Sequence, residues 1–281
     1  MRPTSQRMVI TPDRIELIEE GGASKLARLW DMTRRIGMMI TWNLRRRAYD
    51  KATGPLFLLV EPMMQALLFF YIVYIVFGVR GDDVSYISIF TMVTLWRGHA
   101  IIVGSAPYYL SAQSAILQQS RYPAVALLAE GIGTDMAMFA LLILVVLGVL
   151  VIGGEGPRWT WIAFPLVLAV NLLFTAGCAI LVACSGIYLR ETGIIMNFLV
   201  ALWMYASPVV YGMERINEPF RTIYLWINPF AHLMPAYRAV LLGGEWPAMR
   251  PLLVITLLAV AMLTLGLGWV GRLKGRMYRY L

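Results

Sequence analysis

Long apolar stretches alternate with short polar or proline-broken ones along this chain, and the apolar ones fall at residues 56–79, 86–107, 124–152, 159–189, 193–211 and 251–270. None alternates with period two, as a membrane β-barrel must to separate lipid from lumen, so each is read as a helix. About 20 helical residues cross a hydrocarbon core about 30 Å thick. The stretches at 124–152 and 159–189 exceed that length, which predicts tilt or projection past the membrane. Ahead of the first span, Leu29, Met32, Ile36, Met39, Ile40 and Leu44 recur at three- and four-residue spacing, while Arg34, Arg35, Arg45 and Arg46 turn largely away. Asn43 and Arg47 fall on the apolar face, against the pattern. The spacing fits an amphipathic helix over 29–51 lying in the membrane interface, and also a juxtamembrane helix in the cytosol.

Residues 212–250 are too apolar for a solvated loop and are broken by Pro219, Pro229, Pro235 and Pro247. Proline removes an amide donor and clashes with the preceding turn. Two short helices are predicted, at 219–227 and 230–242, joined at Asn228-Pro229 and closed by Gly243-Gly244. They form either a re-entrant hairpin, whose backbone must be buried in protein or face water, or a helical cap on the outer surface. The expected class is therefore an all-α membrane protein. It has a cytoplasmic segment at 1–28, the interfacial helix, and a six-helix transmembrane domain over 52–281 with the hairpin between its fifth and sixth spans.

Composition agrees: 59% of the 281 residues are hydrophobic and 14% are charged, against about 25% charged in soluble domains. Basic residues set the orientation, because Lys and Arg near span ends stay in the cytoplasm. With both termini inside, the inner segments carry seventeen Lys and Arg and the outer segments six, and the outer six are matched by six acidic residues. The net charge of +8 is then accounted for by topology and anionic lipid, and no nucleic acid is expected. Eleven basic and six acidic residues occupy the first 55 positions with no apolar run among them, so the first span is expected to direct insertion itself. Cys178 and Cys184 are six residues apart on different helix faces and read as small buried hydrophobes.

Candidate chemistry is sparse. There is no GxxxxGK[ST] phosphate loop, so any ATPase must be another subunit, which would hold the ATP and Mg²⁺. His99 and His232 are isolated, with no HExxH or comparable cluster, and no metal site or bound cofactor is expected. Gly104-Ser105 with either histidine supplies raw ingredients for an intramembrane hydrolase and nothing more. Charged groups inside apolar runs are costly and become functional candidates by default. These are Glu61, followed by Pro62, and Arg97 with His99 in the second span. A structural role fits them equally, with Glu61 pairing Arg97 or His99 to hold two helices together. Glu130 and Asp135, near the start of the third span, are expected at the cytoplasmic interface. Trp203, Tyr205 and Tyr211, with Tyr224 and Trp226 in the hairpin, are candidate platforms for sugar rings, or an ordinary aromatic belt. The cytoplasmic segment 108–123 mixes Leu110, Ile116 and Leu117 with Ser and Gln, as a short helix seated in a partner's groove does.

Three motifs carry a family resemblance: Leu59-Val60-Glu61-Pro62 at the head of the first span; Arg121-Tyr122-Pro123 through Glu130; and Trp226-Ile227-Asn228-Pro229-Phe230-Ala231-His232 followed by Arg238. In this order on a six-span pattern, the chain after about Leu29 resembles the ABC-2 type permeases, and within them the capsular polysaccharide exporter subunits and their O-antigen relatives. It departs from them at Met234-Pro235, where the family often has an acidic residue, and at Thr53-Gly54-Pro55, where it often has Leu-Gly. The resemblance implies a homodimer in the bacterial inner membrane bound to two copies of an ABC ATPase subunit, exporting lipid-linked polysaccharide, with a periplasmic export or co-polymerase protein as a further partner. It implies coupling through Ser111, Ile116, Leu117 and Arg121. It also implies entry of the polymer near Arg45, Arg46 and Arg47 and a hairpin turn built on Asn228, Pro229, His232 and Arg238; Glu61, Arg97, His99, Trp203, Tyr205 and Tyr211 are the substrate-path candidates from their own chemistry. Alternatives are an ABC-2 pump for drugs or lipids and, from another class, an intramembrane acyltransferase or protease.

Overall fold

The computed structural model describes residues 6–11, 14–19, 25–49, 57–79, 85–113, 123–189 and 191–273. An antiparallel ribbon, β1 (Gln6–Thr11) and β2 (Arg14–Glu19), pairs Met8 with Leu17 and Ile10 with Ile15. It is a local addition to the all-helical expectation, within the segment assigned to 1–28. Everything else with regular structure among the described residues is helical. α1 (Lys25–Tyr49) is followed by α2 (Phe57–Phe70), which runs on as a π-helical turn at Tyr71–Val76. Next come α3 (Tyr86–Ser105), the single turn α4 (Tyr108–Ser111) and α5 (Ala124–Ile152). A 3-10 turn at Trp159–Ala163 leads into α6 (Phe164–Tyr188), and α7 (Thr192–Tyr205) follows. The hairpin is α8 (Glu218–Ile227) and α9 (Phe230–Arg238), the latter extended by a π-helical turn at Ala239–Gly243, and α10 (Met249–Leu273) is the last described helix.

Four of these helical stretches are long and apolar enough to cross a membrane: Tyr86–Ser105, Ala124–Ile152, Trp159–Tyr188 and Met249–Arg272. Two more are apolar but shorter, Val60–Val76 and Thr192–Tyr205. The fifth apolar run therefore stops being helical at Tyr205, and Tyr211 stands in the irregular segment beyond it.

α3 is the axis of the bundle. Of an 18-residue stretch of α3, 78% is buried, against 33% for α5 and 22% for α10. A helix apolar on all sides can lie against lipid or against other helices, and α3 has helices around it: α2, α5, α6, α7 and α9 all pack on it. Close approach relies on small residues. A Cβ on Gly98 would strike the Phe139 ring, and one on Gly177 would meet the α10 backbone near Leu263. Small residues take this part in membrane helix packing because dispersion contacts must replace a hydrophobic drive.

α1 lies along α5. Met32, Ile36, Met39, Ile40 and Leu44 are half-buried as the spacing predicts, whereas Leu29, Trp30 and Trp42 are exposed. At the opposite end of the bundle α9 enters the core, burying Phe230, Leu233, Met234 and Tyr237, while α8 buries no residue. The carbonyls at the end of α9 are capped from the connector before α6. Thr160 donates to the Val240 carbonyl at 2.8 Å, Trp161 Nε1 to that of Leu241 at 3.2 Å, and Arg158 to that of Leu242. Gly244, at φ 68°, takes the left-handed turn that ends this helix.

Candidate functional site

One flank of α3 is left open between α2 and α7, forming a groove of about 540 Å³. Arg97, Ala100, Ile101, Gly104, Ser105 and Tyr108 line it at helical spacing along α3 and into α4. Glu61 and Gln65 reach it from α2, and Asn197, Ala201 and Tyr205 from α7. Arg97 Nη2 pairs with Glu61 Oε2 across the groove. Gln65 donates to the Met204 sulfur at 3.4 Å. Gly104 makes room for Asn197, whose Oδ1 would lie 2.9 Å from a Cβ placed there. The groove thus offers a cation, a carboxylate, two amides and phenol hydroxyls inside an otherwise apolar bundle, a set suited to a hydroxyl-rich or anionic chain.

His99 lies on the other side of α3 and lines no part of this groove. It is 1% exposed. Its Nδ1 is 2.9 Å from Thr175 Oγ1, and the row continues through Asn171 to the Tyr237 hydroxyl, which accepts from Asn171 Nδ2 at 3.0 Å. The imidazole stacks on Phe174 and meets Trp203 and Phe230 edge-on, with centroids 5.8, 5.3 and 4.7 Å away.

Trp203 also belongs to this sealed side. Its indole N–H donates to Asn228 Oδ1 at 3.1 Å. That oxygen also accepts the Phe230 amide at 3.0 Å, and Asn228 Nδ2 donates to the Ala206 carbonyl at 2.8 Å and to Ser207 Oγ at 3.1 Å. Asn228 therefore ties the end of α7 to the start of α9, where Pro229 stands as the N-cap. His232 Nε2 is 2.9 Å from the Leu225 carbonyl, closing the hairpin, and Arg238 donates to the Tyr211 carbonyl at 3.4 Å. The Tyr211 hydroxyl donates to the Tyr205 carbonyl at 3.2 Å and faces that of Tyr224 at 3.5 Å.

At the α1 end, Glu130 and Asp135, near the start of α5, are buried within the protein at 1% and 0% exposure. Glu130 accepts from Asn43 Nδ2 and, at 2.8 Å, from Gln113 Nε2. Asp135 accepts from the Tyr109 hydroxyl at 2.6 Å. The reason is that α1 and α4 cover the start of α5. Asn43, which broke the apolar stripe of α1, supplies one of the amides. Arg45 and Arg46 are exposed, with Arg46 5.7 Å from the Trp42 ring centre, and the Arg47 side chain lies outside the described residues. Ser111 donates to the Pro107 carbonyl at 3.2 Å. Ile116, Leu117 and Arg121 lie outside the described residues.

Of the residues expected on a substrate path, the structure brings Glu61, Arg97 and Tyr205 together, leaves Arg45 and Arg46 on α1, and separates His99, Trp203 and Tyr211 from the groove. Sequence reasoning missed Gln65, Asn197 and Tyr108. Gln65 stands one turn after Glu61, and Asn197 is a lone amide in the fifth apolar run, so both carried a signal of polar cost without a partner in sequence.

Among the described residues no cluster of three or more metal-ligating side chains occurs. The chain belongs to the ABC-2 type transporter family, whose sequence profile matches residues 34–242. It is similar to the O-antigen export system permease protein RfbA of Myxococcus xanthus, 25% identical over 228 residues that cover 80% of this chain and 86% of the relative. A protein of the same description from Klebsiella pneumoniae is 20% identical over 203 residues, 72% of this chain and 78% of the relative. The chain is thus a multi-pass membrane subunit of a transporter.

Proposed function

We propose that this chain, as a homodimer in the inner membrane, forms the path by which a lipid-linked cell-surface polysaccharide leaves the cytoplasm. Two copies of a separate nucleotide-binding subunit supply the energy, and they bind the ATP and Mg²⁺. The observation that carries this reading is the groove, where Glu61, Arg97, Gln65 and Asn197 meet on an open flank of a chain whose relatives are described as O-antigen export permeases. Those relatives favour an O-antigen type polymer within the capsular or other cell-surface polysaccharides expected from sequence. Six spans cross in this reading, with both termini in the cytoplasm. α2 and α7 are the short ones, and the hairpin is re-entrant because α9 buries its irregular backbone in protein. The segment 108–123 receives the ATPase, and its motion reaches the spans through Gln113 and Glu130.

The test replaces the chromosomal gene with an Arg97→Ala copy. Surface polysaccharide is expected to fall at least about tenfold, with polymer held in the cytoplasm, while a nucleotide-binding subunit still co-purifies in equal stoichiometry in mild detergent. Normal surface polymer from the variant, or purified chain that arrives without any such subunit, would overturn the proposal.

A further inference from the structure

We infer that Arg97 is a binding site for an acidic group of the exported polymer, a sugar carboxylate or a phosphodiester, and that Glu61 is the internal counter-ion this group displaces. The inference rests on the export path proposed above and adds the chemistry of its ligand. It comes from the asymmetry of one ion pair. The Arg97 side chain is 19% exposed and that of Glu61 56%. Arg97 stands on α3, the buried axis. Glu61 stands on α2, whose Met63, Met64, Leu67 and Leu68 are exposed and whose helix carries Pro62 in its interior and runs on as a π-helical turn at Tyr71–Val76. The proline supplies no amide to the preceding turn, so the backbone around Glu61 lacks one of its restraints. The guanidinium is the fixed partner and the carboxylate the one free to leave.

Simple separation of the pair would strand a cation in poorly hydrated surroundings, which is costly. Exchange is different: an incoming oxyanion replaces Glu61 on the same guanidinium fork, and the number of charge-assisted hydrogen bonds is kept. The groove has room for the exchange; Gln65, one turn from Glu61, can engage hydroxyls near the acidic group, and Asn197, Ser105 and Tyr108, two to three turns of helix from Arg97, line the same groove where they can engage hydroxyls farther along the polymer. A neutral polymer has nothing with which to displace Glu61. The site therefore selects for acid, and the vacated Glu61 returns to Arg97 when the acidic group moves on.

The full-length chain in phosphatidylcholine nanodiscs is titrated by calorimetry with tetragalacturonate and, separately, with maltotetraose. Glu61→Gln is expected to tighten tetragalacturonate binding about tenfold, and Arg97→Gln to weaken it by about the same factor. Maltotetraose is expected to respond to neither substitution. If Glu61→Gln does not survive purification, Glu61→Asp, with its shorter reach, is expected to give a gain of about threefold. Unchanged or weaker tetragalacturonate binding in the Glu61 variants overturns the exchange. So does loss of that binding when phosphatidylglycerol is added to the discs, which would assign Arg97 to lipid phosphate. Unchanged affinity together with export lost in Arg97→Ala sinks the counter-ion role and leaves the path standing. Tighter binding together with normal export in Arg97→Ala keeps the site and sinks the path.

Discussion

Arg97 and His99 stand two residues apart on α3, about 200° around the helix, and they meet opposite surroundings. Arg97 opens on a groove and answers a carboxylate that is more than half exposed. His99 is enclosed by Trp96, Phe174, Trp203 and Phe230, and its polar contact ends in a row of side chains that reaches no opening. In the chain both are polar residues that interrupt an apolar run, and both qualify as functional candidates on cost alone. What separates them is reach. A polar group sealed among neighbours fixes how helices fit, because leaving it unpaired is expensive. One left at an open flank can exchange its partner for a ligand. Stability and transport should therefore respond in opposite ways on the two sides of α3.

The largest loss of stability is expected at Asn228, on the sealed side. Asn228→Ala strips partners from the Trp203 N–H, the Phe230 amide and the Ala206 carbonyl at once, at a cost of about 3–5 kcal/mol. The measurement is the melting temperature of purified protein in detergent, together with its yield in the membrane. A variant that melts with the wild type would mean that the junction of α7 and α9 is held by apolar packing alone. His99→Ala comes next, at about 2–4 kcal/mol, because it leaves a hole among four aromatic rings. His99→Phe keeps the ring and loses the Thr175 contact, at about 1 kcal/mol. Export per folded molecule should be unchanged in both His99 variants, and a drop in His99→Phe that exceeds its loss of protein would place the imidazole on the substrate path after all.

How much of this could be read in advance follows from what a one-dimensional pattern measures. The apolar runs mark the helices of the bundle, and the three-and-four spacing of Met32, Ile36, Met39, Ile40 and Leu44 marks the buried stripe of α1, because both depend only on local geometry. Position along a run does not say which side of a helix meets a neighbour. The burial of Glu130 and Asp135 was not legible for that reason, since the elements that cover them are α1 and α4. Asn43 is instructive: its place on the apolar face looked like an error in the stripe, and it is the residue that pairs with Glu130. The Trp203 to Asn228 bond spans 25 positions and has no local signature, so the tie that Trp203 makes between α7 and the hairpin was not legible in the sequence. The groove was half legible. Glu61 and Arg97 stood out by charge, whereas Gln65 and Asn197 became informative only when α2 and α7 were placed side by side.

The smallest effect on stability is expected at Arg97, the residue with the largest expected effect on transport. Arg97→Gln removes one member of an ion pair whose other member already reaches the groove, and it leaves an amide donor in the place of the guanidinium, so Glu61 keeps a hydrogen-bonding neighbour and is not stranded. The glutamine keeps much of the arginine's length and an amide donor, so α3 should pack on α2 and α7 as before, and the melting temperature should stay within about 2 °C of the wild type. Export is measured in the same cells as surface polymer per unit of membrane-embedded protein, which removes expression from the result. Stability kept and export lost is the signature of a group that acts on a passing ligand. A melting temperature that falls in step with export would instead make the pair a brace between α2 and α3, and the open flank of α3 would then differ from the sealed one only in exposure.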